Sequence, residues 1–554
     1  GTLSASNVLF IDTITNTGTM MSSNSIVQKV LTNDGTLELY STTFNGADSR
    51  LVSTSDADIY GAIFNKNAVS VTNSGKLNID SALFSENTVA VDTTANAQIK
   101  DSTFHKNASG VKINSDAEVQ ISGSSFVSGT GNGIDVISGK AVVSDSKFSQ
   151  NSAAINIESG ATAEITNGEF AKNTTAITNK GDLTLKAAEN SKLTFDSNTN
   201  GAINSAGSLT INGAKGSTIS FTNNTGASAI DAAGLNISAE KLIFKDNSAG
   251  AIKNSGTGSV SASELSFENS GISNSGDLTL SADAGSIVFD ENSAISNTGN
   301  LIFASGNGGK IQLGGVVSGG TLTFNANASG GEIIAANQIS NAQILLNSGK
   351  LTAVEESYLN GNSLELAGGT LNLSNDKIGS ISLNSFTSAS GSNITFDADL
   401  SSGASDSINA QTASGTLDLR GINILNDGDA SHITLFNNAA LDVNSLRTFS
   451  DEAVYTFVQN SENKGIIDVV KENITAELGG IANAAQDSTV TKAFSATQDT
   501  VLEKDFGTMG GTTFTIFGNK KDIDGKGFSG LTVADGQNFY LENAGLVADD
   551  EVSK

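Results

Sequence analysis

Two nested periods run along this chain. Within short runs apolar and polar residues alternate, as in Thr36-Leu37-Glu38-Leu39-Tyr40 and Asp277-Leu278-Thr279-Leu280. That is the period of a strand with one face buried. Over longer distances one apolar residue type returns: Phe64, Phe84, Phe104, Phe126, Phe148, Phe170, Phe195, Phe221, Phe244, Phe267 and Phe289, at spacings of 20 to 26 residues, with Phe44 one step earlier. Asn follows three positions after most of them, as Asn67, Asn87, Asn107, Asn151, Asn173, Asn198, Asn224, Asn247 and Asn292. Phe126 lacks it, and Phe267 has Asn269 one residue early. Next comes Ala-Ile, often with Gly before it, as in Gly201-Ala202-Ile203 and Gly250-Ala251-Ile252, then a turn such as Asn73-Ser74-Gly75 or Asn274-Ser275-Gly276.

One such repeat cannot bury its own apolar face. Stacked repeats can, each resting on its neighbour. Two or three short strands per repeat, separated by corners, predict an all-β fold. It is a right-handed parallel β-helix with about 20–26 residues per coil, the hand following the crossover rule. The Phe set is expected to form an internal column. The Asn set is expected to form a ladder whose amides bond coil to coil, as in cross-β stacks. Gly and Asn tolerate positive φ and are expected at the corners.

The grammar divides the chain into three stretches. Residues 1–300 carry the regular repeat. Residues 301–470 keep strands such as Thr321-Leu322-Thr323-Phe324 and Thr416-Leu417-Asp418-Leu419 but lose the strict motif, and read as the same β-helix with longer corners. Residues 471–554 read as a corner or short helix (471–485) followed by the start of further coils, with Thr515-Ile516-Phe517 and Leu531-Thr532-Val533 as strands. If all 554 residues coil at about 22 each, about 25 coils result.

Composition sharpens this reading. The chain has no proline, where usual usage of about 5% would give on the order of 28. Proline lacks the N–H that a mid-sheet strand donates. There are no cysteines, so stability comes from stacking and no thiolate chemistry is available. The formal net charge of −28 repels a phosphate backbone and excludes nucleic acid as a partner. No apolar run approaches the roughly 18 residues of a membrane span, and the chain starts at Gly1 rather than Met. It reads as a processed segment whose membrane link would be an anchor outside this chain.

Catalytic chemistry is sparse. His105 and His432 are the only histidines and lie far apart, which excludes histidine triads and histidine metal sites. The acidic pairs Asp56/Asp58, Asp397/Asp399 and Asp427/Asp429 are scattered, and Arg50, Arg420 and Arg447 stand alone. A glycosidase-like site needs clustered carboxylates, so no enzyme and no catalytic residue is expected. No cofactor is expected either. Asp427-Gly428-Asp429 and Asp522-Ile523-Asp524-Gly525 could supply oxygen ligands to Ca²⁺, although Asx-turns use the same residues.

The paired motif, clearest at Phe195-Asp196-Ser197-Asn198 with Gly201-Ala202-Ile203 and at Phe244-Lys245-Asp246-Asn247 with Gly250-Ala251-Ile252, resembles the repeats of the polymorphic outer membrane proteins. These are a group of type V autotransporter adhesins. The resemblance covers roughly residues 40–300. Downstream, Ile394-Thr395-Phe396-Asp397-Ala398-Asp399-Leu400 with Ser405-Asp406-Ser407-Ile408 resembles the passenger stem of large autotransporters. The family's usual double Gly, its cysteines and its C-terminal membrane β-barrel have no counterpart here. The resemblance implies an extracellular, outer-membrane-associated passenger on a bacterial cell surface. It would act as an adhesin toward a host or neighbouring-cell receptor or glycan. Two other readings stand beside it: a self-assembling filament or coat, joined end to end or laterally, and a polysaccharide-active β-helix enzyme. The Phe–Asn motif itself is expected to be structural.

Overall fold

The computed structural model describes residues 1–473 apart from 284, 307, 327–330, 438–440 and 450–452. Beyond them it describes the strands Lys492–Ala496, Gly507–Met509, Phe514–Gly518, Leu531–Val533 and Phe539–Glu542. The readings of 474–485 and of Asp522-Ile523-Asp524-Gly525 lie outside the described residues. The chain divides into two units, Gly1–Gln343 and Ile344–Lys554.

Unit 1 is built from coils of three short strands. In one of them the strands are Leu77–Asp80, Leu83–Ser85 and Val89–Thr93. Each pairs in parallel with its counterparts in the coils before and after: Ile79 with Ile59 and Ile99, Phe84 with Phe64 and Phe104, Val91 with Val71 and Val111. The third strands alone form a sixteen-stranded parallel sheet. The first coils advance by 17 residues (Leu3 to Met20 to Leu37), shorter than the 20-to-26 spacing of the Phe series.

The first two strands alternate as expected, with Leu77, Ile79 and Phe84 inside. The third strand does not. Near its start lie two buried residues in succession, Ala90-Val91 in this coil and Ala202-Ile203 or Ala251-Ile252 later. The first must be small because its surroundings are tight: a Cβ added to Gly110 would sit 2.2 Å from the Gly133 carbonyl oxygen and 3.1 Å from two ring carbons of Phe126. This accounts for the small residue before Val or Ile in the beat.

The corners meet expectation in part: Gly123, Gly139, Gly160 and Asn167 hold positive φ, but the commonest corner differs. Glycines of the Asn-x-Gly corner, such as Gly75, Gly181 and Gly276, are absent from the positive-φ positions. They are needed for close approach: a Cβ on Gly75 would meet the Ser55 carbonyl oxygen at 2.4 Å, and one on Gly276 would meet that of Gly256 at 2.0 Å. The left-handed residue sits elsewhere, immediately before the motif Asn. Lys66 (φ 56°), Glu86 (57°), Lys106 (54°), Gln150 (58°), Lys172 (58°) and Asp246 (53°) all hold it. The corner between the first two strands does the same at Ser41, Ser81 and Asp101. These corner residues also donate their N–H to the next coil, as Ser81 to Lys100 (3.0 Å) and Lys106 to Val127 (2.8 Å). Proline can meet neither demand, so its absence extends from the strands to the turns.

Unit 2 opens with strands, among them Lys350–Ala353, followed by a short 3₁₀ turn at Glu356–Leu359, and continues in parallel strands, for example Ser380–Ser388 with Ser407–Asn426. The reading of coils up to residue 470 is corrected near its end. His432–Thr434, Leu446–Phe449, Ala453–Gln459 and Ile466–Asn473 form a four-stranded antiparallel sheet. Farther on, Lys492–Ala496, Phe514–Gly518 and Phe539–Glu542 pair in parallel again. The β-helix makes about 18 turns. The figure of about 25 counted every residue; the antiparallel strands within 432–473 replace about two coils, and most of 474–554 lies outside the described residues.

Candidate functional site

Apart from Asn292, the motif residues point inward. Phe44, Phe64, Phe84, Phe104, Phe126, Phe148, Phe170, Phe195, Phe221, Phe244, Phe267 and Phe289 form one file. Successive rings are stacked with centroids 4.2–5.2 Å apart and planes within 15° of parallel. That separation is set by the strand spacing of about 4.8 Å, since the rings stand on paired strands. After Phe289 the file ends. Leu313 takes its place in register, and Phe303 meets Phe289 edge-on before stacking on Phe324.

The Asn ladder runs beside the rings. Asn67, Asn87, Asn107, Asn151, Asn173, Asn198, Asn224 and Asn247 are buried. Asn173 shows the pattern. Its Nδ2 donates to the Phe148 carbonyl and to Asn198 Oδ1, both at 3.1 Å, and its Oδ1 accepts the backbone N–H and the Nδ2 of Asn151, both at 3.0 Å. Gly129 holds the position after Phe126, so one side chain is missing there, although its N–H still reaches Asn151 Oδ1 (2.9 Å). The last steps use serine: Asn247 donates to Ser270 Oγ (3.1 Å), and Ser270 N–H to Ser293 Oγ (2.9 Å). Asn292 is therefore not a rung; it is exposed, and its neighbour Ser293 takes the buried position.

The sequence pattern did not show a second ladder at the Asn-x-Gly corner. Asn16 donates to Asn33 (2.7 Å), Asn254 to Asn274 (2.9 Å) and Asn274 to Asn297 (2.8 Å).

The scattered candidates stay scattered. His105 is half-buried on a strand and His432 is exposed. Asp427 accepts the Tyr455 hydroxyl at 3.2 Å, and Asp429 pairs with Lys471 at 2.8 Å, so both carboxylates of the proposed Ca²⁺ loop bond protein groups. No group of three potential metal ligands is found among the described residues.

Unit 2 holds two features that the sequence did not announce. One is a shallow groove of about 400 Å³ lined by Ser382, Asn384, Asn409, Gln411 and Asn437 with no charged residue. Asn437 donates to Asn409, and Asn384 Nδ2 to the Gly361 carbonyl (2.6 Å). Such amides offer donors and acceptors side by side and suit neutral, hydroxyl- or amide-bearing ligands.

The other is a buried acidic corner. Asp397 and Asp406 are fully buried, and Glu356 is nearly so. Asp397 is buried, and Asp399, two residues on past a register shift in the strand, is half-buried. Asp399 is held below the usual carboxylate range chiefly by the Ser401 hydroxyl, at 2.6 Å. Burial pushes the Asp406 carboxyl up to about 7; N–H bonds from Asp397 and Gly379 oppose the rise, and the charges of Asp397 and Glu356 add to it.

This geometry defines an all-β, right-handed parallel β-helix protein. A family model described as a right handed beta helix region matches residues 43–190 and, in an overlapping second match, 87–237. No curated protein matches the chain.

Proposed function

We propose that the chain is a secreted, surface-displayed β-helical passenger that acts as an adhesin or surface-binding rod, of the type V autotransporter kind. Its ligand would be a receptor or glycan on a host or neighbouring cell. The observation that carries this reading is where the repeated chemistry goes. The Phe file and both Asn ladders are spent inside the coil stack, so outward positions are free to differ from coil to coil. One outward column reads Glu38, Asp58, Asn78, Gln98, Gln120 on successive coils. The uncharged amide groove of unit 2 is the preferred contact for a neutral glycan. The test is binding of the purified chain to cells and to an array of neutral and charged glycans. Attachment that weakens on Asn409→Ala and Asn437→Ala supports the reading, and absence of attachment to any surface counts against it.

A second reading, lateral assembly into a filament or coat, is favoured by one observation. Leu9, Ile26, Thr43, Ile63 and Leu83 form an outward column, and its four apolar members are 37–53% exposed. Negative-stain imaging separates the readings: isolated particles reject the filament.

A further inference from the structure

Five N–H groups converge on two buried carboxyls in unit 2. Asp406 accepts the backbone N–H of Asp397 on one oxygen and that of Gly379 on the other, both at 2.7 Å. Asp397 accepts the backbone N–H of Asn375 (2.8 Å) and Lys377 (3.1 Å) on one oxygen and Asn423 Nδ2 (2.7 Å) on the other. The two carboxyls thus tie together the segment 375–379, the strand Asn393–Asp399 and the strand Ser407–Asn426. Backbone bonds reinforce the same joint, from Asp406 N–H to the Asp397 carbonyl (2.9 Å) and from Ser407 N–H to the Gly379 carbonyl (3.1 Å).

Among the described residues no cation balances this joint, and neither carboxyl has an ion pair. Lys377 turns outward to Glu355 (3.3 Å), and Arg420 bonds Asn393 through Nε (2.8 Å). The 3₁₀ turn contributes a third carboxyl, Glu356. Its Oε1 accepts Asn375 Nδ2 (2.6 Å), and its Oε2 would lie 2.3 Å from a Cβ on Gly379. Asp376 approaches from beyond Asn423 (3.0 Å), Asp399 faces its own Ser401, and His432 is exposed beside Ser431. Asp397 and Glu356 therefore stand with Asp406 in one buried corner, where their charges oppose its ionisation.

We propose that Asp406 is a protonation-dependent clamp: neutral, it ties the three segments without a buried charge, and its ionisation as pH rises destabilises this corner of unit 2. A neutral carboxyl keeps acceptor capacity on its oxygens, so the N–H bonds survive protonation while the buried charge is removed. The elevated proton affinity of the buried group agrees with this geometry. Because the folded pKa lies above the unfolded one, the contribution is fully present below about 3.8 and is lost as pH rises to about 7. This contribution to unit 2 is then largest at or below about pH 4 and declines through mildly acidic pH.

The test is hydrogen exchange of the full chain at the amides of Gly379 and Asp397 from pH 4 to pH 8, expressed relative to intrinsic exchange. Protection is expected to fall by up to about tenfold per pH unit between about 4 and 7 and then level off. Asp406→Asn should abolish that slope. Glu356→Gln removes an opposing charge and should move the levelling point to lower pH. Exposed Glu365→Gln, which bonds none of these groups, should leave the profile unchanged. A flat wild-type profile, or a wild-type slope in D406N, overturns the proposal. If D406N does not fold, an unshifted E356Q profile overturns it instead.

Discussion

Removing one ring from the middle of the file tests how the coils hold together. Phe148 is 1% exposed and stacks at 4.8 Å on Phe126 and at 4.9 Å on Phe170. Replacing a buried Phe by Ala costs about 3–5 kcal/mol. Two features place Phe148→Ala near the upper end. It forfeits two ring stacks, each worth about 0.5–1.5 kcal/mol in part beyond area burial. The cavity also cannot close, because Phe126 and Phe170 are pinned by strand pairs on either side. The expected loss is about 4–5 kcal/mol, against about 1–2 kcal/mol for Phe148→Leu, which refills most of the space. The loss should be local, since each coil touches only its neighbours. Urea unfolding followed by far-UV circular dichroism measures the total, and hydrogen exchange measures its distribution. Strands around residues 126–170 should lose protection, while Thr36–Tyr40 and Asp277–Ala282 keep theirs. A loss below about 1 kcal/mol, or one spread evenly along unit 1, refutes the reasoning.

Four further outcomes are expected. Asn173→Ala leaves the Phe148 carbonyl and the Asn151 N–H short of partners in the core and should cost about 2–4 kcal/mol in urea unfolding, whereas Asn292→Ala should cost close to nothing. Lys106→Gly relieves a left-handed residue and should stabilise by up to about 1 kcal/mol; the same change at Lys112, on a strand and not among the positive-φ positions, should destabilise. Gly276→Ala drives a Cβ into the Gly256 carbonyl and should cost at least about 1–3 kcal/mol, read as a lower thermal midpoint. Breaking the exposed cross-coil pair Lys245–Glu268 with Lys245→Gln should change stability by less than about 1 kcal/mol, with no effect resolved at high salt.

Much of this fold is written in the sequence because a coil stack repeats its demands at fixed intervals. The Phe and Asn periods gave the file and the ladder, since a ring or an amide that must meet its counterpart one coil away has to recur. The corners were less legible. The left-handed residue before each motif Asn is Lys, Glu, Gln, Ser or Asp in most coils and never Gly from Lys66 to Asn269. Coil-to-coil bonds on both sides fix that conformation, so residue type carries little sign of it. Asn292 misled for a related reason: serine can replace the rung, and the position shifts by one without breaking the Phe spacing. The acidic corner of unit 2 was hidden because its members, Glu356, Asp397 and Asp406, come from three segments. Asp397 and Asp406 meet across a short antiparallel pairing, Ala398 with Ser405 and Asp399 with Ala404, inside an otherwise parallel run. Nothing in local sequence separates buried Asp397 from half-buried Asp399. The antiparallel strands from His432 to Asn473 alternate as coil strands do, and alternation does not encode direction of pairing.

The most direct test is the register of one coil on the next. The chain has no cysteine, so introduced pairs report without background. Asn65 and Ser85 are paired on adjacent coils, and Ser85 is paired in turn with His105. Cα atoms one strand spacing apart, about 4.8 Å, lie within disulfide range, and those two spacings apart, beyond about 7 Å, do not. Oxidation should link N65C with S85C and S85C with H105C in the folded chain, and leave N65C with H105C unlinked. Equal linking of all three pairs, or of the two-coil pair alone, would contradict the stack.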